Sequence, residues 1–500
     1  MLNIILDNDI VLELLSHKKN DTTHSFIRLQ KSPVRFWLPC CSLSLLEMQM
    51  QSFSHQPLTT LLDKKVQWLS SLAAHWHEIP ADCPNKIQAL MSLDAATLPG
   101  TTIIWTNQPD FTSLHPDIEG GDHEFVYAML APYETEPSLI DLESQQLILR
   151  PTLEKHIFNV LKHGQYIAGA EVQALENQLA DFVGVKHCIS VASGSFAMLI
   201  ALMAVDVKAG DEVITSPFNF VAAAEMIALL GAKPVFVDIE PITYTLNPSL
   251  LRSAITRQTK AIIASNLFGQ CADFYPINKI ANQYHLPVIE EASQSFGATY
   301  HDKKSCTLSA IGCTSFYPSQ PLGAYGNAGA CFTDDDDLAN LMRQLRDHGQ
   351  DKRYHHQVIG INGHLDTLQA SLLLAKLARF PKEIEDCAII AATYTRLLKQ
   401  EEEIKIPFIP SHNSCVYSQY TIEVNNRDEV QQQLQQRGIP TVVHYPVPLN
   451  LQPVFAYLNY PENSFQVAKT IAQRVLSLPM HPYLTEPMQI KIVNALKSVL

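Results

Sequence analysis

The chain has 500 residues, 46% of them apolar, and a formal net charge of −14. That length supports two or more domains with room for a large core. The acidity gives no electrostatic case for a nucleic-acid or membrane surface.

The N-terminal stretch MLNIILDNDIVLELLSHKK carries acids inside its apolar run and no basic leader, unlike a signal peptide. No uninterrupted apolar run is long enough to span a bilayer. Ten scattered cysteines without a C-x-x-C pair read as reduced, mostly buried thiols, so a cytoplasmic setting is expected. Residues 1–130 read as a small α/β unit. A strand over Leu2 to Leu6 ends at Asp7, and a helix starts at Asp9. Glu47 falls in a helix-like stretch, Asp94 follows an apolar run, and a strand to Trp105 leads to Asn107 and Asp110. Acids at successive strand ends suit a divalent cation; helix caps and turns explain the same residues. The arrangement resembles a PIN-type nuclease domain, which implies metal ligands at Asp7, Glu47, Asp94 and Asp110, with Asn107 competing for the fourth position. Residues 131–147, rich in proline and acids from Ala131 to Glu143, read as a linker.

Beyond residue 148 helix and strand signals alternate. Helical spacing runs from Glu171 to Phe182, Phe196 to Val205, Phe220 to Leu230 and Pro276 to Tyr284. Between them fall strand runs at His187 to Val191, Glu212 to Thr215, Pro234 to Val237 and Thr259 to Ser265. That rhythm predicts a mostly parallel sheet with helices on both faces.

The segment Val288 to Ala330 concentrates the chemistry. An apolar run from Leu286 to Ile289 stops at Glu290 and Glu291, as a buried strand does when it presents charge at a sheet edge. Ser315-Phe316-Tyr317-Pro318-Ser319-Gln320 follows, then a loop with Gly323, Gly326 and Gly329. Upstream, Ser193-Gly194-Ser195 lies between a strand and an apolar helix, where backbone amides and hydroxyls form either a phosphate cup or a plain N-cap. These stretches resemble the DegT/DnrJ/EryC1/StrS family of pyridoxal-phosphate sugar aminotransferases, and the similarity is continuous to residue 500.

The resemblance implies the fold-type-I architecture, α/β, with a large sheet domain over 148–385, a small C-terminal domain over 386–500 and a homodimer. It assigns pyridoxal or pyridoxamine 5′-phosphate to Ser193, Gly194, Ser195, Ser315 and Asn362 for the phosphate, Phe220 for the ring face, Gln294 for the ring oxygen and Glu291 for the pyridine nitrogen. Substrate contacts fall to His364, His444 and Tyr445. Three positions depart from the family pattern: Gln320 stands where the family has its Schiff-base lysine, Glu291 where it has aspartate, and His364 where arginine is common. An amide is neither basic nor appreciably nucleophilic, so it performs neither the covalent capture of the cofactor nor the proton shift. The expectation is a homologue of the enzymes that transfer an amino group from glutamate to a nucleotide-linked keto sugar for polysaccharide, impaired by Gln320 and holding its cofactor without a covalent link. Two alternatives stand beside it: an inactive ligand-binding or scaffold dimer, and a pyridoxamine-dependent dehydratase with His348 or His364 as base.

Overall fold

A computed structural model describes residues 136–500 together with five strands of the N-terminal region. Those strands are β1 (Leu2–Leu6), β2 (Val34–Pro39), β3 (His75–His77), β4 (Thr102–Trp105) and β5 (Glu119–Gly121). They form an all-parallel sheet in the order β3-β2-β1-β4-β5. The acids Asp7, Glu47, Asp94 and Asp110 lie outside the described residues.

A second compact unit contains Leu149–Leu500. Its strands are β6 (His187–Val191), β7 (Glu212–Thr215), β8 (Lys233–Phe236), β9 (Thr259–Ser265), β10 (Val288–Glu291), the hairpin β11 (Thr299–Tyr300) and β12 (Lys303–Lys304), β13 (Ile311–Ser315) and β14 (Gly329–Thr333). Seven of them make one sheet in the order β6-β14-β13-β10-β9-β7-β8, parallel except that β14 runs against both neighbours. Helices cover both faces. One core packs the helices Gly194–Ala204, Ala222–Leu229 and Asp336–Arg346 against the sheet, and a second packs Ala170–Val183 and Thr367–Leu377. Burial on both sides explains why the strands read as continuous apolar runs rather than alternating ones.

Local differences from the sequence reading have physical causes. β10 starts later than the apolar run, at Val288, and ends in its acids as expected, Glu290 and Glu291 both finding hydrogen-bond donors. A helix, Leu142–His163, begins inside the stretch read as linker, beyond its last proline at Pro137. Lys303 and Lys304 form β12 of the short hairpin, with Lys304 Nζ 3.5 Å from the centre of the Phe182 ring. A further core draws residues between Cys387 and Leu496 around an antiparallel pair, β15 (Tyr420–Glu423) and β16 (Val475–Leu478). The described cysteines are all buried free thiols. Among the described residues no helix is long and apolar enough to cross a membrane.

Candidate functional site

The site lies where β7, β9, β10 and β13 end, the edge at which open α/β sheets bind ligands. Ser193 caps the helix Gly194–Ala204, its Oγ accepting from Phe196 N at 3.2 Å. The plain N-cap reading is therefore correct in itself, and it leaves the amides of the first turn clustered beside Ser315. A Cβ built on Gly194 would stand 2.5 Å from Ser315 Cβ, and one on Gly329 would stand 2.5 Å from the Ser193 carbonyl carbon. Only glycine permits this convergence of helix, β13 and β14. Ser315 Oγ in turn accepts from Tyr317 N at 3.2 Å. Phe196, the bulky residue following Ser195, packs against the hydrophobic core.

Strand alternation sends the paired acids to opposite sides. Glu290 is fully buried: its Oε1 accepts from Asn266 Nδ2 (2.9 Å) and Cys306 N (2.8 Å), its Oε2 from Leu308 N (3.0 Å). Burial pushes its carboxyl up to about 7, with the neighbouring Glu291 charge adding to the rise. Glu290 thus fastens β10 to the loop before β13. Glu291 stays partly accessible and faces the other way, toward Ser293, Ser265 and Asn219. Burial raises its carboxyl as well, against hydrogen bonds from those three residues. Asn219 Nδ2 donates to Ser265 Oγ at 2.7 Å, so the carboxylate sits in a small polar network at the ends of β7, β9 and β10. Neither Asn219 nor Ser265 was among the expected site residues, although Ser265 closes β9 and Asn219 lies in the segment that follows β7.

Phe220 is 59% exposed beside this network, and its ring lies 6.3 Å from that of Tyr445. Gln294 is fixed from both ends: Oε1 accepts from Phe268 N at 2.7 Å, and Nε2 donates to Tyr445 Oη at 3.0 Å. His444 Nδ1 lies 3.0 Å from Ser477 Oγ, and burial depresses this imidazole to about 4. The structure therefore brings Gln294, Phe220 and Tyr445 together. Asn362 stands apart as an exposed residue. Its neighbour Gly363 accepts from Ala192 N at 2.9 Å, which keeps the segment beside the end of β6. His364 Nε2 pairs with Asp347 Oδ1 at 3.0 Å.

Gln320 rides on the loop between β13 and β14. Its Oε1 is buried without a hydrogen-bond partner. The loop hangs from the helix Thr367–Leu377: buried Lys376 donates to Gly323 O, while Gln369 accepts from Tyr325 N at 2.9 Å and donates to Tyr325 O at 3.3 Å. Burial draws the Lys376 ammonium down to about 8. No group of three histidine, cysteine or acidic side chains among the described residues is placed to hold a metal ion.

The sheet order, the helix-capped cup and the carboxylate at the strand edge define a fold-type-I pyridoxal-phosphate transferase architecture. Residues 149–497 match the DegT/DnrJ/EryC1/StrS aminotransferase family, and the chain belongs to it. It is 54% identical over 356 residues to UDP-2-acetamido-2-deoxy-3-oxo-D-glucuronate aminotransferase of Pseudomonas aeruginosa, covering 71% of this chain and 98% of that one. Among solved structures it resembles a DegT DnrJ EryC1 StrS aminotransferase from Brucella abortus (39% identity, TM-score 0.70, 72% and 98% covered). It also resembles NtdA from Bacillus subtilis with bound cofactor PMP (27% identity, TM-score 0.67, 72% and 83% covered).

Proposed function

We propose that the chain binds a pyridoxal- or pyridoxamine-type phosphate without a covalent link, together with a nucleotide-linked acetamido keto sugar, and that lysine-dependent transamination is lost. The observation that carries this reading is the contrast between an assembled cup and an amide at Gln320, whose Oε1 is buried without a partner. Ser193, Gly194, Ser195 and Ser315 take the phosphate, Phe220 covers one ring face, and Glu291 faces the ring nitrogen. When bound, that group supplies an electron sink. Glu291, raised by burial but held by Ser293, Ser265 and Asn219, keeps a proton or a negative charge at the ring nitrogen. Tyr445 and Gln294 close the ring-oxygen side. Gln320 offers no basic nitrogen, so no proton moves through it. The sugar class follows the Pseudomonas aeruginosa relative, the homodimer follows the family resemblance, and the cytoplasmic setting follows the scattered, buried thiols.

The test is a titration of the purified chain with pyridoxal phosphate, followed by absorbance, beside Gln320→Lys. Wild type is expected to bind the cofactor and release it on desalting. The lysine variant is expected to retain it, with the spectral change of covalent attachment and glutamate-dependent conversion to the amine form. Failure of both proteins to bind sinks the proposal.

A second reading is favoured by one pair. A histidine held by a carboxylate, as His364 is by Asp347, is a competent base. A wild-type protein that eliminates water from the sugar in the presence of pyridoxamine phosphate, and loses this with His364→Gln, supports a dehydratase.

A further inference from the structure

The loop that carries His444 and Tyr445 continues through Pro448 into two short 3-10 turns, Leu449–Leu451 and Pro453–Leu458. Leu449 N donates to Pro217 O at 2.7 Å, which pins the first turn to the segment leading to Asn219 and Phe220. The Leu449 side chain packs with Phe236 and Phe455, so the residue is an anchor. Asn450 follows it and is 7% exposed. Both polar atoms of its amide, Oδ1 and Nδ2, are buried and have no hydrogen-bond partner; no other described side chain leaves two such atoms. Thr215, two residues before Pro217, adds a third enclosed orphan with its Oγ1. Native proteins pair nearly all buried polar atoms, and one left over calls for a reason. Packing does not supply one here, because an apolar side chain of similar size would avoid the desolvation loss.

We infer that Asn450 is a specificity-determining residue that reads an amide-like donor–acceptor pair on the nucleotide sugar. This rests on the nucleotide-sugar reading given above. A side-chain amide offers one acceptor and one donor about 2 Å apart, so its best complement is a group offering both in reverse. The imide edge of a uracil base has that pattern; an acetamido substituent on the sugar, a trans amide whose N–H and C=O point to opposite sides, offers one of the two contacts at a time. No solvent reaches the amide in this conformation, so a rotation of the side chain or a shift of the turn presents it. The weaker hydrogen-bond geometry of 3-10 turns suits that role.

The experiment uses the full chain and calorimetric titration with UDP-N-acetylglucosamine, UDP-glucose and UDP, for wild type and Asn450→Leu, with melting temperatures for both. Asn450→Leu is expected to melt about 2 °C higher, since two unpaired buried atoms disappear. It is expected to bind UDP-N-acetylglucosamine about tenfold more weakly, the usual loss for a polar contact to ligand. Selective loss with UDP-N-acetylglucosamine assigns the acetamido group; equal loss with all three ligands assigns the uracil edge. Unchanged binding of all three overturns the inference, whatever the melting temperature. A wild type that binds none of them overturns the nucleotide-sugar reading itself and the inference with it. Asn450→Asp, which keeps the shape but not the donor, is the second variant and is expected to show the same loss.

Discussion

The two walls of the site are built by different means. The cup wall is backbone against backbone, with Gly194 and Gly329 leaving no room for a methyl group. The opposite wall, the loop carrying Gln320, hangs from side chains, with Lys376 reaching Gly323 O and Gln369 gripping both backbone groups of Tyr325. An interlocked wall cannot change one residue without moving its neighbours. A suspended loop can exchange the residue it displays, and no hydrogen bond ties Gln320 Oε1 to its surroundings. The difference teaches that the cup and the residue displayed by the loop are separately mutable in this fold.

Gly329→Ala attacks the rigid wall and carries the largest expected effect. Its Cβ meets the Ser193 backbone at 2.5 Å, so the helix start must shift. The expected cost is ~3 kcal/mol in urea denaturation, with loss of cofactor-phosphate binding. An unchanged midpoint and unchanged binding would break the comparison. Glu290 comes next. Its carboxyl titrates near 7 in the fold against 4.5 as the ordinary value. Between those values the folded protein holds the proton more tightly than the unfolded chain, so stability falls as pH rises through that window. The change across that window is expected to total about 3 kcal/mol and to flatten in Glu290→Gln; parallel curves for the two proteins would refute the assignment.

Lys376→Met tests the suspended wall and carries the smallest effect. Replacing a buried cation by an apolar side chain of similar length is expected to change stability by only about 1 kcal/mol. Amide exchange at residues 320–326, however, should quicken. With the ammonium drawn down to about 8 from 10.5, the unfolded chain binds more protons between those values, so stability rises with pH there. That rise should vanish in the variant, and its persistence would remove Lys376 from the account.

Much of this was legible in the sequence. The strand at Thr259–Ser265 and the helix behind Ser193 follow from local apolar pattern and capping chemistry, which neighbouring residues decide. The fate of the two glutamates was not legible. Adjacent in sequence, they read as one acidic strand end, whereas alternation plus donors from Cys306 and Leu308 commit Glu290 to structure and leave Glu291 to the site. Asn219 with Ser265, and Leu449 with Pro217, were missed for the same reason. Those neighbours are 46 and more than 200 residues apart, and no local period reports them.

The two serines of the cup have a consequence in proton direction. Ser193 Oγ accepts from Phe196 N, and Ser315 Oγ accepts from Tyr317 N. A hydroxyl has one proton and two lone pairs, so each backbone amide claims an acceptor position and leaves the proton to be given away. Both hydroxyls are thereby polarised as givers. A species that only receives hydrogen bonds, such as a phosphate dianion, can take a proton from each hydroxyl, while an ammonium ion arriving at the same spot finds one lone pair on each instead of two. The discrimination is set by the caps of the chain itself before any ligand arrives.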